Sequence, residues 1–229
     1  MRSIFLIITT IISISSLSAQ IYEVGVFAGG SNFVGDVGST RYISPNQAAF
    51  GIIGKWNRSP RHTYRFSAIY TNLEGQDSKS DDPRRQQRNY SFENDIIELS
   101  AGLEFNFFDF DQHDIATKGT PYLYSGISFA RFENYYFDAS GTIQSENSKS
   151  WAIGIPITLG YKALLSPHFV LAAEVGARYT VTDEIDGSLP DADFRQQFAF
   201  GNTNSDDWYV FTGITITYTF GQKPCYCNF

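Results

Sequence analysis

The sequence predicts an all-β protein, an eight-stranded antiparallel transmembrane β-barrel of the outer-membrane type. Three observations carry this. Eight segments alternate apolar and polar residues, with turn-forming residues between them. Their apolar faces combine aliphatic centres with aromatic ends, the cross-section of a bilayer met by a strand. The chain also opens like a secretory leader, and no later run reaches the roughly 18 apolar residues a spanning helix needs.

The eighth segment, 208–220, shows the pattern most clearly. Its even positions are Trp208, Val210, Thr212, Ile214, Ile216, Tyr218 and Phe220, and its odd positions include one glycine, Gly213, and the threonines Thr215, Thr217 and Thr219. Successive strand side chains point to opposite faces, so this segment has a greasy face and a polar one. The other segments follow suit in chain order. Residues 21–33 align Tyr22, Val24, Val26 and Ala28; 48–56 align Phe50, Ile52, Gly54 and Trp56; 63–73 align Tyr64, Phe66, Ala68 and Tyr70. Residues 95–107 group Ile97, Leu99, Ala101, Leu103, Phe105 and Phe107. In 121–135, Tyr122 and Tyr124 compete with Leu123, Ile127 and Phe129 for the outer face. Residues 151–161 group Trp151, Ile153, Ile155, Ile157, Leu159 and Tyr161, and 169–181 run from Phe169 to Val181 with the same alternation.

Connections alternate in length. Residues 57–61 and 164–167 are tight, whereas 36–46, 75–91, 136–150 and 182–207 are long and polar. Short turns face the periplasm and long loops face outward in such barrels, so both termini are expected in the periplasm. Residues 109–120 break the rule, being long on the expected periplasmic side. They carry Asp109, Asp111, His113, Asp114 and Lys118, which read either as a solvated turn or as a docking loop for a periplasmic partner.

Domain organisation follows. Arg2, an apolar stretch over 4–14 and the small Ala19 mark residues 1–19 as a signal peptide, with no cysteine beside the cut for a lipid anchor. Residues 20–220 form one barrel domain and 221–229 a periplasmic tail. The net charge of −7 argues against nucleic-acid binding.

The inward face carries Glu23, Lys55, Arg65, Glu98, Glu104, Glu174 and Arg178. An eight-stranded barrel is just wide enough for side chains to fill, so these charges are expected to pair and plug it; a gated channel is the alternative. Pro156 also faces inward and predicts a bulge or weakened pairing.

No catalytic constellation stands out. His62, His113 and His168 fall in or beside the expected periplasmic turns, with no matching nucleophile and base. Asp183, Glu184, Asp186, Asp191 and Asp193 lack the spacing of an EF-hand Ca²⁺ loop and read as a solvated acidic loop. Lys79, Arg84, Arg85 and Arg88, against Asp77, Asp81 and Asp82, read as a solubilising loop, with lipopolysaccharide phosphate contact as the alternative. No cofactor, metal or small-molecule substrate is expected. The tail holds the only cysteines, Cys225 and Cys227. They are open to a strained disulfide, free thiols or two metal ligands, and an oxidising envelope favours the disulfide over metal. With Tyr226 and Phe229 they also form a peptide a partner can grip.

Three stretches resemble the PorG-like family of Bacteroidota outer-membrane barrels. They are Tyr22 to Asp36 with its Gly35-Asp36 turn, Arg178 to Asp186 with Thr182-Asp183-Glu184-Ile185-Asp186, and Trp208 to Phe220 with the cysteine-bearing tail. Gly187 departs from the pattern, which often has a second aspartate there. The resemblance implies an accessory subunit of the type IX secretion system, a machine also linked to gliding. Its partners would be a periplasmic ring lipoprotein and that lipoprotein's own partner, besides outer-membrane lipids. A small channel and a surface-binding or adhesion barrel are the alternatives.

Overall fold

The computed structural model describes residues 21–111, 119–202 and 206–221. The expected leader, His113, Asp114, Lys118 and the tail with Cys225, Tyr226, Cys227 and Phe229 lie outside them.

Eight strands pair antiparallel in chain order into a closed ring. They are β1 (Ile21–Val34), β2 (Gln47–Asn57), β3 (His62–Gln76), β4 (Ser91–Asn106), β5 (Gly119–Phe137), β6 (Ile143–Ser166), β7 (Phe169–Thr180) and β8 (Trp208–Phe220). The register from Tyr22↔Phe220 to Val34↔Trp208 closes β1 onto β8. Closure leaves no strand edge with unpaired amides, the condition for crossing a bilayer with strands. No described helix is long and apolar enough to cross a membrane.

Alternation decides which residues face outward. Val26, Ile52, Phe66, Leu99, Ile127, Phe129, Ile155 and Ile216 are exposed on the outside. In β5 the contest is settled inward for Tyr122 and Tyr124, both 0% exposed. Rings cluster at the two rims of this apolar wall. Tyr22 stacks on Phe220 at 5.9 Å at the end holding the termini, and Tyr179 meets Trp208 at 4.9 Å at the opposite, loop end.

The expected 136–150 loop is instead strand. β5 and β6 run on as a hairpin above the ring, turning only at 138–142. Asp138 makes that turn: its carboxylate accepts the amides of Ser140 at 2.9 Å and Thr142 at 3.0 Å, and Gly141 takes φ +79°. Within 77–90 the chain forms a 3₁₀ turn (Asp77–Lys79) and α1 (Pro83–Arg88). Asp82 caps α1 by accepting the Arg84 amide at 2.9 Å, Pro83 sits in its first turn, and Asn89 ends it at φ 58°. Pro156 causes no bulge. The β5–β6 register stays in step from Ser125↔Ile157 to Ser128↔Gly154, and only the pairs between are missing, where proline offers no N–H.

The inward face divides into two layers. Toward the loop end it is apolar and aromatic, built from Phe27, Ile53, Ile69, Ile96, Phe132 and Phe211, with Val37 and Ile185 folded in from loops. The polar face expected for β8 is therefore confined to its second half, because Tyr209 and Phe211 also point inward. The layer toward the termini is charged.

Candidate functional site

The charged layer joins every strand. Arg65 on β3 makes a two-pronged contact with Glu174 on β7, Nη1 to Oε2 at 2.7 Å and Nη2 to Oε1 at 2.8 Å. In a ring of eight these strands stand opposite each other, so this pair spans the bore. Glu104 on β4 gathers Lys55 of β2 at 2.8 Å, Lys162 of β6 at 2.5 Å and Arg65 at 4.0 Å. Arg178 on β7 meets Glu98 on β4 at 3.3 Å, and Tyr209 on β8 donates to the same Glu98 at 2.6 Å. Tyr122 on β5 donates to Glu174 at 2.5 Å. Glu23 on β1 accepts from Asn57 at 2.8 Å and Thr217 at 2.5 Å. Across β3, β4 and β5, Arg65 pairs with Gly102 and Gly102 with Gly126, so this stretch of wall carries two side-chain-free positions.

All seven charges picked out from the sequence lie in this layer, between 0% and 5% exposed. Lys162 was missed. It sits one residue beyond the expected end of the sixth segment, yet continues the inward alternation of Pro156, Thr158 and Gly160. With it the layer holds four carboxylates and four cations. Burying an ion without a partner costs several kcal/mol, so balance is what lets this layer exist in a barrel wall facing lipid. Rings fill the remaining space: the Arg65 guanidinium lies 4.8 Å from the Tyr124 ring, and that of Arg178 lies 4.7 Å from Phe211.

The mouth at the terminal end is narrowed by the start of the β4–β5 connection. Phe110 is buried with Lys162 Nζ 4.9 Å above its ring, and its amide bonds to the Pro60 carbonyl at 3.1 Å. Asp109 beside it is exposed and pairs with Arg61 at 2.5 Å; Asp111 is partly exposed. His62 Nδ1 stands 3.2 Å from Ser59 Oγ, a contact the sequence did not suggest. That hydroxyl is already occupied by the amides of Arg61 and His62, as in a capped turn rather than an activated nucleophile.

At the loop end the connections interlock into a cap, which corrects two expectations. The basic 75–91 loop is not merely solubilising. Arg85 donates to the carbonyls of Gly35 at 2.8 Å and Gly38 at 3.1 Å, and Arg88 donates to the carbonyl of Asp36 at 2.7 Å and to buried Asp77. Asp77 in turn accepts the amides of Gly38 and Tyr90. Arg84, by contrast, projects into solvent.

Nor is the acidic 182–207 loop simply solvated. Asp191 and Asp193 are exposed, but Asp183, Asp186 and Asp207 are buried. Asp186 Oδ2 accepts the amides of Asp36 and Val37, both at 3.0 Å, and its Oδ1 accepts Ser188 N at 2.9 Å. Asp207 Oδ2 accepts Ile185 N at 3.1 Å. The amides that draw Asp186 inward lie 150 residues away in sequence, not in its own loop. Burial raises the Asp186 carboxyl to about 6. Burial, then the charges of Asp186, Asp36, Asp206 and Glu184, raises Asp183 to about 8.

Residues 2–229 match the family described as "Domain of unknown function (DUF6089)". No curated protein matches the chain. Among solved structures, a major outer membrane protein from Thermus thermophilus is 13% identical with a TM-score of 0.50, covering 88% of this chain and 100% of that one. Ail, the attachment invasion locus protein of Yersinia pestis, is 12% identical with a TM-score of 0.48, covering 89% and 100%. Neisserial surface protein A is 14% identical with a TM-score of 0.46, covering 88% and 96%. What the first of these shares with the chain is the fold, a closed antiparallel β-barrel of the outer-membrane type.

Proposed function

This chain belongs to the DUF6089 family, and from that premise we propose that it is a non-enzymatic outer-membrane barrel that anchors a protein assembly rather than conducting solute. The filled bore carries this reading. Arg65 and Glu174 span it, an aromatic layer lies above them, and Phe110 narrows the mouth below. The exposed apolar wall with its two aromatic rims supports a bilayer position. Short turns on the side of the termini support a periplasmic placement for that end.

The assembly we propose is the type IX secretion machinery, on the resemblance of the first strand, the Arg178–Asp186 stretch and the last strand to PorG-like barrels. The contact surface to the periplasmic ring would then be the β4–β5 connection, with Asp109, Asp111, His113, Asp114 and Lys118, together with the tail's Cys225, Tyr226, Cys227 and Phe229. A rigid barrel suits this role because force on a periplasmic loop is resisted by all eight strands at once. A surface-binding barrel is the second reading, favoured by Tyr42, Ile43 and Phe194, exposed apolar side chains on the cap.

One experiment separates them. Replace residues 111–118 by glycine and serine, truncate after Gly221, and purify the barrel from native membranes with its bound proteins. Ring components are expected to disappear from the preparation while the barrel still assembles. Their continued co-purification would overturn the assigned contact surface, and loss of function only on exchanging the cap loops would favour surface binding.

A further inference from the structure

Two residues on the outer wall are hidden although their lipid-facing neighbours are bare. The β1–β8 register runs unbroken to Val34↔Trp208, so Asn32 and Val210, which pair with each other, stand on the same face as Val26 and Ile214. Val26 and Ile214 are exposed, whereas Asn32 is 3% and Val210 2% exposed.

The β1–β2 loop folds back over this place. The Asn32 side-chain amide donates to the carbonyls of Arg41 at 3.2 Å and Tyr42 at 3.1 Å, and its Oδ1 accepts the Ser44 amide at 3.2 Å. Gly30, two residues earlier on the same face, permits the close approach: a Cβ there would lie 2.7 Å from Pro45 Cβ. The Asn46 amide then bonds to the Ser31 carbonyl at 3.0 Å as the chain enters β2. Residues 41–45 therefore lie against the outside of the barrel, at the seam where its first and last strands meet.

The wall beneath is thin. Its outward side chains around the seam are small or polar: Ala28, Gly30, Asn32, Ala48 and Thr212. The loop brings Tyr42, Ile43 and Pro45 to this stretch. Tyr42 and Ile43 are exposed, and Tyr42 stands edge-on to Trp208 at 6.4 Å, extending the Tyr179–Trp208 pair of the rim to three rings. Arg41 pairs with Asp81 of the β3–β4 loop at 3.1 Å, which keeps its charge with the cap.

We propose that residues 41–45 are a membrane-docking strap, whose Tyr42 and Ile43 sit in the bilayer interface at the loop end and complete the apolar band across the β1–β8 seam. The occupant is lipid because the patch continues the aromatic rim, the level at which amphipathic rings meet headgroups and acyl chains. Asn32 makes irregular backbone tolerable there, since it bonds strap groups that lipid would leave unsatisfied. Pro45 brings no N–H of its own. This assigns Tyr42 and Ile43 to lipid and leaves Phe194, of those three, for a surface-binding role. The strap rests on the bilayer position of the wall and not on the secretion role.

The test uses the full chain with Cys225→Ser and Cys227→Ser, reconstituted in phosphatidylcholine vesicles, so that one nitroxide label is placed at a time. Labels go on Ile43→Cys in the strap, Phe66→Cys in the wall and Phe194→Cys in the cap. Collisions with oxygen, which concentrates in lipid, are compared with those of a water-soluble nickel chelate. The label on Ile43→Cys should favour oxygen, as on Phe66→Cys, while that on Phe194→Cys favours nickel. Adding Gly30→Val, which fills the place of Pro45, should shift the Ile43→Cys label toward nickel and leave the Phe66→Cys label unmoved. Asn32→Leu, which removes three hydrogen bonds yet keeps the wall apolar, should do the same. A preference for nickel on Ile43→Cys with oxygen on Phe66→Cys would overturn the strap and return its apolar pair to a protein partner. Nickel at both positions would instead overturn the bilayer position on which it rests. A label on Ile43→Cys that both added variants leave in lipid would contradict the hold assigned to Gly30 and Asn32.

Discussion

At the scale of single residues the lumen is a set of mutual obligations. Arg65 is 0% exposed and owes its charge balance mainly to Glu174. Glu174→Gln would keep the shape but strand a buried guanidinium, which typically costs about 3–5 kcal/mol. Urea unfolding in lipid vesicles should register that loss. The double variant Arg65→Met with Glu174→Gln should regain most of it, since removing the cation leaves no unpaired ion. Equal destabilisation by the single and double variants would mean that the pair acts through shape alone. The sequence made these two residues visible because charge at alternate positions of an otherwise apolar strand has few other uses. It concealed Lys162, because Tyr161 has the character of an aromatic rim residue and the inward series runs one step past it. It also concealed the burial of Asp186, which depends on a loop 150 residues away.

At the scale of elements, strands facing lipid announced themselves by period, and those rising above the ring did not. The extension of β6 over 143–150 is largely polar on both faces, so no alternation of hydrophobicity betrays it. Its evidence lies in pairing with the neighbouring strand, which only the fold supplies. Helix α1 had local signals: Asp82-Pro83 is a cap followed by a first-turn proline, and Asn89 is a left-handed stop. Pro156 shows the reverse, a residue legible in the sequence as a bulge or weakened pairing, of which the structure has the weakened pairing with the register kept. Having no N–H, Pro156 leaves an acceptor on the neighbouring strand without the donor any other residue would bring. Pro156→Val should supply that donor and raise the unfolding free energy by about 0.5–1.5 kcal/mol, the net worth of one hydrogen bond. An unchanged or lowered unfolding free energy in that variant would place the cause of the gap elsewhere.

At the scale of the whole molecule, three layers stand one above another: a narrowed mouth, a braced ionic layer and an aromatic layer under an interlocked cap. Each alone restricts the bore of an eight-stranded ring, whose width side chains can fill. Together they turn a sheet that encloses a channel in barrels of more strands into a solid post. Composition and periodicity foretold the ring and the sign of its contents. They did not foretell the division into layers, because inward alternation alone does not say how far along the bore each residue sits. An anchoring role without conduction requires this post to be closed. Single-channel recording of the purified full chain in planar bilayers measures that closure directly. No stable unitary conductance is expected in the unaltered protein. Discrete, reproducible openings of ion-conducting size in that same protein would contradict a closed bore.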